Sequence, residues 1–130
     1  MSADPQTNPQ ILIVDDEPYV LDVIQRMLAP RFVAATASDG EQALRMLAEP
    51  ECAIRLILLD LTMPGLAGAP MLRRLRNEHP RLRVVVMSGL TPEAAAPVLA
   101  GYVPDGYLAK PVRMASLLDL VARELGMFLG

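Results

Sequence analysis

The sequence predicts an α/β chain, a doubly wound parallel sheet of five strands with helices on both faces. Three observations predict it. Short apolar runs alternate five times with amphipathic helical stripes along the 130 residues. The runs are continuously apolar, as expected of strands covered on both sides. Polar residues of a few chemical types also gather just past the carboxyl ends of those runs, where open α/β sheets hold their ligands.

Taken in order, Ile11-Leu12-Ile13-Val14 is the first strand. Pro18 suits a first helical turn, where an N–H has no intrahelical use. Val20, Val23, Ile24, Met27 and Leu28 then form the helix's apolar stripe, and Pro30 ends it. Phe32 to Thr36 is the second strand. Ser38, with Glu41 three residues on, has capping-box spacing for a second helix that buries Ala43, Leu44 and Leu47. Ile54 to Leu59 is the third strand and runs straight into Asp60. Pro70 opens a third helix with Met71, Leu72 and Leu75, closed before Pro80. Val84 to Met87 is the fourth strand. Thr91-Pro92-Glu93 combines a cap, a first-turn proline and a dipole-favoured acid, so a fourth helix starts there. Gly106 to Ala109 is the fifth strand. Met114, Leu117, Leu118, Val121 and Leu125 mark the last helix, which ends at Gly126. Alternation of this kind implies parallel strands with crossover helices. Periodicity alone leaves two common strand orders open.

Composition narrows the function. Apolar residues make up 52% and charged residues 21%, which suits a globular chain of single-domain length. The net charge of −3 and a pI near 5.1 argue against direct nucleic-acid binding. Arg73, Arg74 and Arg76 read as the solvated face of a helix. Cys52 is the single cysteine, so no disulfide forms within the chain, which fits a reducing compartment. No stretch reaches the roughly 18 apolar residues of a membrane span. The first ten residues lack the pattern of a signal peptide, so a flexible tail over 1–9 and a cytoplasmic location are expected.

The strand ends carry the chemistry. Asp15, Asp16 and Glu17 follow the first strand, Asp60 the third, Ser88 the fourth and Lys110 the fifth. A shared sheet edge would gather these carboxylates with a hydroxyl and an ammonium. Carboxylates so placed repel one another, and a divalent cation with oxygen ligands relieves this. An aspartate can attack phosphorus and form an acyl phosphate. Lys110 and Ser88 are the right types to meet the phosphoryl oxygens. Simpler roles stand beside these: Asp16 and Glu17 as helix caps, Ser88-Gly89 as a turn, and Lys110 as a solvated charge.

Asp15-Asp16, the segment Asp60-Leu61-Thr62-Met63-Pro64-Gly65, Ser88-Gly89 and Gly106-Tyr107-Leu108-Ala109-Lys110-Pro111 together resemble the receiver domain of two-component response regulators. The resemblance covers nearly all of the chain, placed here at 10–127. It implies a flavodoxin-like sheet of order 2-1-3-4-5. It implies that Asp60 is the phosphoacceptor, taking its phosphoryl group from a phosphohistidine on a histidine kinase or a phosphotransfer protein. Asp15, Asp16, Asp60 and the backbone carbonyl of Thr62 would hold magnesium. Ser88 and Lys110 would contact the phosphate, and Ser88 and Tyr107 would form the switch that reshapes the surface of the fourth helix, fifth strand and fifth helix. The chain would be a signalling phosphoacceptor rather than an enzyme acting on other substrates, monomeric or dimerising on phosphorylation.

Pro97 departs from a regular fourth helix, which is expected to be kinked, short or mobile. His79 reads as a surface residue and the eight methionines as core filler. No output domain is read after Gly126, so the chain would be a stand-alone regulator or a piece of a longer protein. Three rivals are weaker. A haloacid-dehalogenase-like phosphatase wants an Asp-x-Asp pair, and Asp15-Asp16 has the wrong phase. A flavin module wants a Ser/Thr/Gly-rich phosphate loop where this chain is acidic. A receiver-like scaffold that takes no phosphate does not need the complete acidic set.

Overall fold

The computed structural model describes residues 8–126. Residues 1–7 of the tail expected over 1–9, and the segment 127–130, lie outside the described residues. Within them run β1 (Ile11–Val14), α1 (Pro18–Leu28), β2 (Ala34–Ala37), α2 (Gly40–Leu47), β3 (Leu56–Asp60), α3 (Gly68–Glu78), β4 (Arg83–Ser88), α4 (Pro92–Leu99), β5 (Gly106–Ala109) and α5 (Met114–Leu125). All strand pairs are parallel and their order is β2-β1-β3-β4-β5. This is the order the resemblance implied and periodicity left open.

The continuous apolar runs are explained by two cores, one on each face of the sheet. Ile11, Ile13, Leu56, Leu58, Val85 and Met87 face α1 and α5. Leu12, Val14, Ile57, Leu59, Val84 and Val86 face α2, α3 and Ala95 of α4. Side chains still alternate along each strand, but both faces are dry. Each such residue, fully buried, contributes on the order of 1.5–3 kcal/mol of transfer free energy.

Several elements differ in detail from the sequence reading. β2 starts two residues later than expected, and Phe32 instead packs into the α1/α5 core. On α1 the fully buried stripe is Leu21, Ile24 and Leu28, with Val20 and Met27 at its margin. Leu21 therefore takes the place expected of Val23. Met114 is 54% exposed, because it opens α5 ahead of the turn that meets the sheet. The cap of α2 is Asp39 rather than Ser38: its Oδ1 accepts the Gln42 N–H at 2.7 Å. The Gln42 side chain reaches back to the Ser38 N–H at 2.8 Å, so the reciprocal logic of the cap survives one residue along.

Helix α4 is short, eight residues with Pro97 inside and a left-handed Ala100 (φ 49°) at its end. Pro97 has no N–H for the Glu93 carbonyl four residues back. Because Pro97 is exposed, little packing depends on its ring. Pro97→Ala is therefore expected to raise stability by about 1–2 kcal/mol, less than the full cost of an interior proline because the unfolded chain also gains freedom. A urea midpoint that stays put or falls would count against this account. No helix among the described residues is long and apolar enough to cross a membrane.

Candidate functional site

Four of the five parallel strands bring a polar residue, at or just past their carboxyl ends, to the same rim. Asp15 follows β1, Asp60 and Ser88 end β3 and β4, and Lys110 follows β5. Asp15, Asp60 and Ser88 retain only 0%, 3% and 2% of their exposure, while Asp16 faces solvent at the mouth. The register holds them together: Asp60 is paired with Met87 and Ser88 with Ala109.

Lys110 Nζ lies 2.7 Å from Asp15 Oδ2 and 3.2 Å from Asp60 Oδ1. One ammonium thus bridges two buried carboxylates. The other Asp15 oxygen accepts the Glu17 N–H at 2.9 Å. Burial pushes the Asp60 carboxyl above its ordinary range, and the Asp15 charge adds to this. Lys110 and a backbone hydrogen bond from Thr62 oppose the shift without cancelling it. Partial burial alone would lower the Lys110 pKa, but the hydrogen bond to Asp15 and the two carboxylate charges outweigh it and hold the ammonium protonated.

Asp15, Asp16 and Asp60 offer carboxylate oxygens that all lie within 4.8 Å of one another. This oxygen-only donor set, with one member open to solvent, fits a hard divalent cation such as magnesium, which keeps several waters. Thr62 meets Asp60 through its backbone N–H.

Ser88 is at the rim, but its Oγ is occupied in a turn, accepting the Leu90 N–H at 2.9 Å. The Tyr107 hydroxyl donates to the Leu90 carbonyl at 3.4 Å, and its ring is 37% exposed. Both proposed switch residues therefore touch the backbone of Leu90, Ser88 at its N–H and Tyr107 at its carbonyl, a link that no sequence motif announced. A second unannounced contact is at Gly40. A Cβ there would stand 2.4 Å from the Leu66 carbonyl, so only glycine lets α2 approach the loop that follows Asp60.

Residues assigned away from the site stay away. His79 caps the far end of α3. Arg73, Arg74 and Arg76 are exposed; Arg74 pairs with Glu78 at 2.7 Å and Arg76 covers the Tyr102 ring at 4.5 Å. Cys52 is a free thiol.

A parallel sheet of order 2-1-3-4-5 with an acidic, lysine-bearing carboxyl rim is a receiver-type architecture. The crystallised receiver domain of NtrX from Brucella abortus superposes with a TM-score of 0.79 at 29% identity, over 91% of this chain and 99% of that one. The family model for the response regulator receiver domain matches residues 11–122, and the chain belongs to that family. Among curated relatives, the transcriptional regulatory protein PrrA of Mycobacterium bovis is 38% identical over 122 residues, 90% of this chain and 48% of that protein. The hydrogenase transcriptional regulatory protein HoxA of Cupriavidus necator is 32% identical over 118 residues, 88% of this chain and 24% of that protein. A similar segment occurs in the sensor kinase CckA of Brucella abortus, 28% identical over 88% of this chain. The chain spans between 12% and 48% of the length of these relatives.

Proposed function

We propose that this receiver domain accepts a phosphoryl group on Asp60 from a phosphohistidine of a sensor kinase or phosphotransfer protein, with magnesium, in the cytoplasm. The observation that carries this reading is the buried Asp60 carboxylate, 3.2 Å from Lys110 and beside two further carboxylates within 4.8 Å. An Asp60 oxygen attacks phosphorus and the bond from phosphorus to the donor nitrogen breaks. The electron pair returns to that nitrogen, and the imidazole, protonated on its other nitrogen, leaves neutral. Lys110 moves part of its charge from Asp60 to a phosphoryl oxygen. Asp15, Asp16, Asp60 and the Thr62 carbonyl would hold magnesium, which supplies charge neutralisation to the phosphoryl oxygens. The chain turns over only its own aspartyl phosphate.

The switch follows from the Leu90 contacts. A phosphoryl oxygen would accept from the Ser88 hydroxyl and draw its Oγ away from the Leu90 N–H, from which it accepts at 2.9 Å. Releasing Leu90 also changes the acceptor of the Tyr107 hydroxyl. The loop before α4 and the face of β5 and α5 then settle in a second packing, and a partner that prefers it is recruited.

The test is incubation of the chain with acetyl phosphate and magnesium, followed by borohydride reduction and peptide mapping. One phosphoryl group is expected on the intact chain and one reduced aspartate, Asp60. Reduction at another residue, or no uptake at all, would overturn the assignment.

A further inference from the structure

The rule that gathers acids at the carboxyl edge of the sheet gathers arginines at its amino edge. Arg55 immediately precedes β3, Arg83 opens β4, and Arg81 lies two residues before it. The Arg83 N–H donates to the Arg55 carbonyl at 2.9 Å, so the two strand starts lie side by side. Arg123, in the last turn of α5, comes to the same edge. All four line one groove of about 870 Å³, and all four are exposed. The chain's only lysine is at the opposite rim, and its net charge is −3. Four guanidinium groups thus meet at the amino end of the sheet in a protein of net negative charge.

Internal pairing does not use up this charge. Arg83 meets Asp105 at 3.3 Å and Arg123 meets its neighbour Glu124 at 3.2 Å. Among the described residues, Arg55 and Arg81 have no carboxylate partner; Arg55 makes only a long 3.5 Å contact to the Leu125 carbonyl. The groove is not purely basic. Leu47, Ile54 and Leu82 also line it, as do the carboxylates of Glu49 and Glu124. A dense polyphosphate would leave the apolar surface without a partner. A polypeptide that alternates carboxylates with apolar side chains matches both components, since guanidinium forks pair bidentately with carboxylates.

We propose that this groove docks an acidic segment of a partner protein whose carboxylates are interleaved with apolar residues. The site is independent of Asp60 and lies at the other end of the sheet. It would let a partner hold the domain without covering the phosphorylation rim.

The probe is a fluorescent synthetic peptide of repeated Glu-Glu-Leu, with Lys-Lys-Leu as its control, titrated against the full chain by anisotropy. The wild type is expected to bind the acidic peptide, and binding should weaken with salt. Arg55→Glu/Arg81→Glu should weaken it at least about tenfold, and Arg55→Gln/Arg81→Gln by less. The glutamine pair also serves if charge reversal harms folding, with unchanged acetyl-phosphate labelling of Asp60 as the check of the fold. Amide shifts on binding are expected at 79–83 and 123–126 and not at 15–17 or 60–62. The proposal is overturned by no binding to the wild type, by equal affinity in both variants, by shifts at the acidic rim, or by a short DNA duplex that binds more tightly than the acidic peptide.

Discussion

Asp60→Asn is expected to abolish phosphoryl uptake and, in magnesium-free buffer at neutral pH, to make the protein more stable. The first effect follows from removing the nucleophile: an amide oxygen does not form an acyl phosphate. The second follows from the environment. Asp60 is buried beside Asp15, and burial is the largest influence on its raised pKa. A carboxyl whose pKa is higher folded than unfolded favours the folded state below its unfolded value, near 3.8, and that advantage is lost as pH rises through the folded value. At neutral pH the ionised group is therefore a cost to the fold. Asparagine keeps the shape without the charge, and Lys110 is not orphaned because it retains Asp15 at 2.7 Å. A gain of about 1–2 kcal/mol follows, a rise of roughly 3–8 °C in Tm for a domain of this size. The gain should shrink as pH falls through the folded value and be gone by about 4, and it should also shrink as magnesium is added to the wild type. Thermal melts with chelator or magnesium across that range decide it. A variant melting below the wild type in chelator at neutral pH would show that Lys110 and Thr62 outweigh burial.

The acidic rim was legible in the sequence because strand direction alone sends Asp15, Asp60, Ser88 and Lys110 to one edge. The pairings within it were not. Nothing in the spacing says that Lys110 lies nearer Asp15 than Asp60, by 2.7 against 3.2 Å. That depends on how the segment after β5 crosses the mouth of β1. Helix faces were legible to within about one residue, and α1 shows the reason. Leu21 and Val23 are both apolar, and only the angle at which the helix meets β1 selects Leu21. The α2 cap slipped from Ser38 to Asp39 because both side chains can accept an N–H, and packing of Gly40 against Leu66 sets where the helix begins. The arginine groove was not legible because it forms only when strand starts distant in sequence come side by side. Arg55, Arg81 and Arg83 obey the same topological rule, but no motif marks the amino ends of strands.

Lys110→Ala is expected to have the opposite sign to Asp60→Asn and a larger size. It leaves Asp15 and Asp60 at 0% and 3% exposure with no cation between them. Removing one partner of a buried pair typically costs about 3–5 kcal/mol. Here the lysine side chain keeps 21% of its exposure, so a loss of about 2–4 kcal/mol is expected. Because the Lys110 pKa is raised, its contribution is fully present at neutral pH and is lost only as pH rises through the folded value, above the ordinary 10.5. Two responses identify the cause. Magnesium should restore more stability to Lys110→Ala than it adds to the wild type, since the cation then answers two unpaired carboxylates. The double variant Lys110→Ala/Asp60→Asn should be more stable than Lys110→Ala alone, because one of the repelling charges is gone; the coupling should exceed about 0.5 kcal/mol. Phosphoryl uptake from acetyl phosphate should slow by at least about a hundredfold, the usual effect of deleting a donor aimed at developing charge. Additive melting shifts in the double variant, or uptake at the wild-type rate, would mean that Lys110 is a solvated charge that happens to lie near the rim, and the phosphoryl site would have to be built without it.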